Sequence, residues 1–221
     1  MVTQAPSYVN LLPELISSGY MVASINYRLA PAYGIQFQIE DVKCAVRFLK
    51  AHAVEYGIDK DHIGAMGYSA GGHLVALLGT SGESSGLEGS GGYKDQSSRV
   101  QAVVDIVGPI DLVTTFQNCP VAQLPVFFGA NVSYPDVERK VSPTTYVGSD
   151  NPPFLIITGD KDHNRGQSEL FYNKLMDAKV PATLVVVKNA DHFFNSVGGT
   201  MSPSQDEIDR MIVDFFDRYL K

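Results

Sequence analysis

The stretch Ile63-Gly64-Ala65-Met66-Gly67-Tyr68-Ser69-Ala70-Gly71-Gly72-His73-Leu74-Val75-Ala76-Leu77-Leu78 decides the fold. Its first five residues read as a short strand and its last eight as an apolar helix, so Ser69 falls at the turn between them. The turn has the form Gly-x-Ser-x-Gly. A sharp strand-to-helix turn forces unusual backbone angles on the serine, and flanking glycines remove side chains that would collide. The helix behind Ser69 aims free N–H groups and a positive dipole end at the serine, with Ala70 N–H as the first candidate oxyanion donor. The plain alternative is a five-residue coincidence in a chain with 20 glycines. The strand before, the helix after, and an acid and histidine downstream favour a nucleophile.

Outward from this turn, apolar runs alternate with amphipathic stretches, the pattern of βαβ units on a parallel sheet. Strands are expected at Tyr20–Asn26, Ile63–Gly67, Val100–Val107, Phe154–Thr158 and Thr183–Val187. Val42, Val46, Leu49 and Ala53 form one apolar stripe of a helix that stops near Gly57. Ile208, Ile212, Phe215 and Tyr219 form another, with Ser202 as N-cap, Pro203 in the first turn and Gln205 as capping partner. The Gly/Ser-rich run 81–98 reads as a flexible loop. The span 111–153, rich in prolines, would sit over the strand ends as pocket wall. One α/β domain over residues 1–221, a three-layer α/β/α sandwich with a mostly parallel sheet, is expected.

Composition narrows the function classes. With 221 residues, 44% hydrophobic and 19% charged, the chain can bury a sizeable core. A formal charge of −7 and the lack of a basic run argue against nucleic acid. No apolar run approaches a membrane span, and the opening residues lack signal-peptide shape, which leaves the compartment open with the cytoplasm as default. Cys44 and Cys119 have neither metal-site nor disulfide-framework spacing, so neither a zinc site nor a secreted mini-domain is indicated, and a serine nucleophile needs no metal or cofactor.

A hydroxyl needs an imidazole to take its proton and a carboxylate to orient the imidazole. Of the five histidines, His52 and His62 fall on a helix surface and a strand edge, and His73 would point along the nucleophile helix. His192 follows the strand Thr183–Val187 through a turn at the sheet edge where sites collect. The acid should follow Phe154–Thr158, where Asp160 and Asp162 compete, each of which could also be a turn former.

Ile25-Asn26-Tyr27-Arg28-Leu29-Ala30-Pro31, Ile39-Glu40-Asp41-Val42, the Ser69 turn, Gly108-Pro109-Ile110-Asp111-Leu112, Ser142-Pro143, Thr158-Gly159-Asp160-Lys161-Asp162 and Ala190-Asp191-His192 together resemble the α/β-hydrolase fold. The resemblance is to its esterase and lipase branch, with hormone-sensitive-lipase-like and acetyl- or feruloyl-esterase-like enzymes, and covers nearly the whole chain. It implies a serine carboxylesterase acting on short-chain or aryl esters, with Ser69 as nucleophile, Asp162 as acid and His192 as base, and an N-terminally reduced fold. Two departures stand out. The family's Val-Pro turn after the acid is replaced by His163-Asn164-Arg165-Gly166, and its His-Gly-Gly-Gly oxyanion loop has no counterpart, the segment 1–18 matching the helix that follows that loop. The third family strand, which lies between those corresponding to Tyr20–Asn26 and Ile63–Gly67, is then missing. Either these two pair directly, or a second copy fills the gap as a homo-oligomer. A weakly active or inactive scaffold used for binding or assembly is the competing reading, and a peptidase a weaker one.

Overall fold

The computed structural model describes residues 11–129 and 132–221. In chain order these form α1 (Leu11–Ser17), α2 (Ile35–Ala51), α3 (Ala53–Tyr56), β1 (Gly64–Tyr68), α4 (Ala70–Thr80), β2 (Ala102–Ile106), α5 (Leu112–Phe116), α6 (Leu124–Phe128), α7 (Tyr134–Lys140), β3 (Phe154–Gly159), α8 (Arg165–Asp177), β4 (Ala182–Val187) and α9 (Gln205–Leu220). The readings placed on residues 1–10, the absence of signal-peptide shape and the start of the first helix, lie outside the described residues.

The four strands pair in the order β1-β2-β3-β4, all parallel, with Gly67 opposite Asp105, Ile106 opposite Ile157 and Gly159 opposite Val187. Strands buried on both faces need apolar residues at every position, and β2 and β3 have them apart from Asp105, Thr158 and Gly159. Along β3, Phe154 and Ile156 join one core with Ile39, Val42, Leu74, Leu77 and Phe171. Leu155 and Ile157 join the other, with Leu11, Leu15, Ile208, Ile212 and Phe216. Helices α2, α4 and α8 therefore cover one face and α1 and α9 the other, which is the three-layer sandwich. No helix among the described residues is long and apolar enough to cross a membrane.

Several expectations need correction. Residues 20–26 form no strand: they run as irregular chain, with Met21 62% exposed, and pair with nothing in the sheet. A strand exists only through its ladder, and β1, the one candidate neighbour, bonds β2 on one side and no described strand on the other. Direct pairing of this segment with β1 does not occur. The N-cap of α9 is Ser204 rather than Ser202: its side chain accepts from Glu207 N–H while the Glu207 carboxylate accepts from Ser204 N–H, a complete capping box. The buried stripe of α9 then continues through Phe216 and Leu220 rather than Phe215 and Tyr219.

The run 81–98, expected to be flexible, is pinned by one acid. Glu88 accepts from Lys43 Nζ at 2.7 Å and from Arg47 at 2.6 Å, two cations that α2 buries almost completely. Leu87 beside it is buried as well. A buried cation without a partner is costly, so α2 and the loop require each other. Gly57 ends α3 in the left-handed region, as expected for a helix stop there.

Candidate active site

The carboxyl ends of β1, β3 and β4 carry Ser69, Asp162 and His192 to one place. Gly67 makes the first turn possible, since a Cβ there would lie 2.2 Å from the Gly71 carbonyl oxygen. Ser69 itself adopts φ 52° and ψ −114°, a strained conformation for any residue with a side chain. It is held there by its N–H donating to the Ile106 carbonyl at 2.8 Å. Ala70 opens α4 directly behind it, and as a first-turn residue its N–H has no carbonyl partner within the helix.

His192 bridges the other two groups. Its Nε2 lies 3.0 Å from Ser69 Oγ and its Nδ1 3.0 Å from Asp162 Oδ1. An ionised carboxylate only accepts, so Nδ1 carries the proton and Nε2 is left to accept from the serine hydroxyl. The Asp162 side chain is fully buried, and Oδ1 also accepts from Asn164 N–H at 2.8 Å. Asp160 plays a different part: it pairs with Lys161 and accepts from Ala190 N–H, holding the histidine loop to the end of β3. Gly159 lets that loop come close, as a Cβ there would meet the Ala190 oxygen at 2.2 Å. The Tyr68 hydroxyl donates to the His192 carbonyl, and burial, with the nearby Asp162 and Asp191 charges, raises its pKa and keeps it neutral.

The rings of His52, His62 and His73 have partners other than Ser69. His52 stacks on Phe48 and Tyr56 and His62 pairs with exposed Asp59. His73 is fully buried, with Nδ1 2.7 Å from the Pro109 carbonyl, and burial pulls its pKa down to about 4. It is a neutral packing residue.

Two neighbours of the site escaped the reading of the sequence. Asp105 lies near the carboxyl end of β2 on the face toward α4, where burial pushes its pKa up to about 7, the Gly108 N–H bond partly offsets this and the Asp162 charge adds to it. A charge inside an otherwise apolar strand is the signal that marks it. His163, next to the acid, points its Nδ1 at Asp162 Oδ1 from 3.3 Å, and its ring centroid stands 4.7 Å from that of His192. Its place where the resembled family has a turn residue is the signal in its case.

A serine at a strand-to-helix turn, linked through histidine to a buried aspartate in the chain order Ser, Asp, His on a parallel sheet, defines an α/β hydrolase. A family model named BD-FAE matches residues 2–175, and the chain belongs to that family. It is 31% identical to the esterase LipQ of Mycobacterium tuberculosis over 86% of this chain and 46% of LipQ. Among solved structures, a truncated carbohydrate esterase from gut microbiota is 33% identical with a TM-score of 0.76, covering 88% of this chain and 72% of that one. A bifunctional GH43-CE protein of Bacteroides eggerthii is 31% identical with a TM-score of 0.79, covering 96% of this chain and 29% of that one. The chain spans about half the length of curated relatives it matches.

Proposed function

We propose that this chain hydrolyses carboxylic esters, short-chain or aryl, through an acyl-enzyme on Ser69. The observation that carries the reading is the position of His192, 3.0 Å from both Ser69 Oγ and Asp162 Oδ1. In the first step His192 Nε2 takes the hydroxyl proton as Oγ attacks the ester carbonyl, Asp162 stabilises the imidazolium, and Ala70 N–H donates to the oxyanion. His192 then returns the proton to the departing alkoxide. In the second step water, deprotonated by the same nitrogen, attacks the acyl group, and His192 passes that proton to Ser69 Oγ as the acyl–Oγ bond breaks and the acid leaves. No metal or cofactor enters these steps. The relatives named esterase and carbohydrate esterase support an ester substrate, and the latter a sugar as the alcohol portion.

Turnover of p-nitrophenyl acetate by the chain and by Ser69→Ala tests this. Loss of turnover in the variant, with fluorophosphonate labelling of Ser69 in the parent, is expected. Equal rates in the two proteins would reject the assignment. A properly folded parent that neither turns over ester nor labels would instead favour the inactive scaffold. The edge of β1 that no described strand pairs supports a separate reading, that a strand from a second copy completes the sheet; a strictly monomeric chain by sedimentation would refute it.

A further inference from the structure

We propose that Asp162, His163 and His192 form a site for a divalent transition metal such as Zn²⁺, and that filling it switches the hydrolase off. The geometry rests on atoms already in place. One donor atom from each residue lies within 4.8 Å of the others, and Asp162 Oδ1 stands 3.0 Å from His192 Nδ1 and 3.3 Å from His163 Nδ1. Two ligands each about 2.0–2.1 Å from a tetrahedral ion stand roughly 3.3 Å apart, so these spacings are close to one edge of a coordination tetrahedron. Two imidazoles and a carboxylate suit zinc, and three protein ligands leave a fourth position for water. Burial is graded in the sense an entry path requires: the Asp162 side chain is fully buried, that of His192 13% exposed and that of His163 72% exposed. The outer histidine can meet the ion in solvent and bring it to the buried carboxylate.

The consequence follows from tautomerism and rests on His192 being the base. In the active form Nδ1 carries the ring proton and Nε2 accepts from Ser69. An ion on Nδ1 takes that lone pair, so the neutral ring holds its proton on Nε2, with no net proton gained or lost. Nε2 then presents a donor to Ser69 Oγ and cannot take the hydroxyl proton. The serine stays in position without a base.

The experiment uses the full chain, its His163→Ala and His163→Asn variants, and Ser69→Ala. Zinc chloride is titrated against ester turnover, each variant referred to its own rate in EDTA. Reversible inhibition is expected in the parent, with the midpoint moving to higher zinc by more than about tenfold in both His163 variants, because even partners outside the ligand shell are worth about 10–100-fold in affinity. Co²⁺ added to Ser69→Ala should give the visible absorption of a low-coordinate cobalt site, and the double variant Ser69→Ala/His163→Ala should lose it. Unchanged zinc sensitivity on losing His163, or a cobalt spectrum indifferent to it, would overturn the proposal. If the chain turns over no ester, the esterase reading fails by itself, and the cobalt spectrum still decides the metal site.

Discussion

Ser69→Gly should make the protein more stable than Ser69→Ala while both are inactive. At φ 52° and ψ −114° a residue with a Cβ stores strain of about 1–3 kcal/mol, which glycine does not pay. Against this, glycine frees the unfolded chain and costs about 0.5–1 kcal/mol relative to alanine. Alanine is the right reference because it also lacks the hydroxyl bonded to His192, so the difference between the variants isolates the backbone. The balance is a gain of about 1 kcal/mol for glycine, within a range of about 0 to 2.5 kcal/mol. For a chain of this length that is a rise of about 2–4 °C in Tm. Urea unfolding followed by circular dichroism at constant m-value measures it. If Ser69→Gly unfolds at lower urea than Ser69→Ala, the turn is not strained and the reasoning fails.

Asp162→Asn should lower kcat by about 10⁴-fold, the scale seen when a triad acid is made neutral, while Asp160→Asn, which loses a Lys161 pair and a loop contact, should lower it far less; steady-state kinetics of the two decides between the acids. Glu88→Gln should destabilise the fold by about 3 kcal/mol, at the low end for a broken buried pair because Glu88 keeps 26% side-chain exposure, as read by denaturant midpoint. Ser204→Ala should cost about 1 kcal/mol by opening the capping box of α9, also by denaturant midpoint. Asp105 has a folded pKa of about 7 against an ordinary 3.8, so the fold retains a proton that the unfolded chain releases, and its contribution to stability, complete below about pH 4, falls as pH rises to about 7. Asp105→Asn should remove that decline, worth at most about 4 kcal/mol, in unfolding curves taken across this window.

What could be read from the sequence was what the chain decides locally. The Ser69 turn, the βα alternation and the order of acid and histidine depend on neighbours a few residues away, and the structure brings those residues together. Residues 20–26 have strand composition, but a strand also needs a partner that no stretch of periodicity reveals. Ser202 and Ser204 both precede a plausible first turn; the choice fell to the serine with Glu207 three residues on. Asp160 and Asp162 differ only in the path of the loop between β3 and α8, which turns one outward to Lys161 and the other under His192. Glycine and serine mark 81–98 as a loop, but they do not show that Glu88 would meet two cations 41 and 45 residues before it.

The strain in this protein is gathered at the candidate active site. Among the described residues, non-glycine positions with left-handed φ are Ser69, Tyr93, Val107, Lys179, Asn189 and Phe194. Four of these follow β1, β2 or β4 at the same end of the sheet. Val107 is the least comfortable, since a β-branched residue at φ 52° is a true outlier. Its N–H donates to the Ile157 carbonyl at 2.9 Å and its own carbonyl accepts from Asn164 Nδ2, whose backbone N–H in turn holds Asp162. The cost at Val107 therefore positions the acid, as the cost at Ser69 positions the hydroxyl. A parallel strand would carry its chain straight past the edge, so joining three side chains from three strand ends by two successive 3.0 Å links demands abrupt exits. The fully buried β2 and β3 can enforce such exits because their ladders and both cores would have to break before the turns could relax.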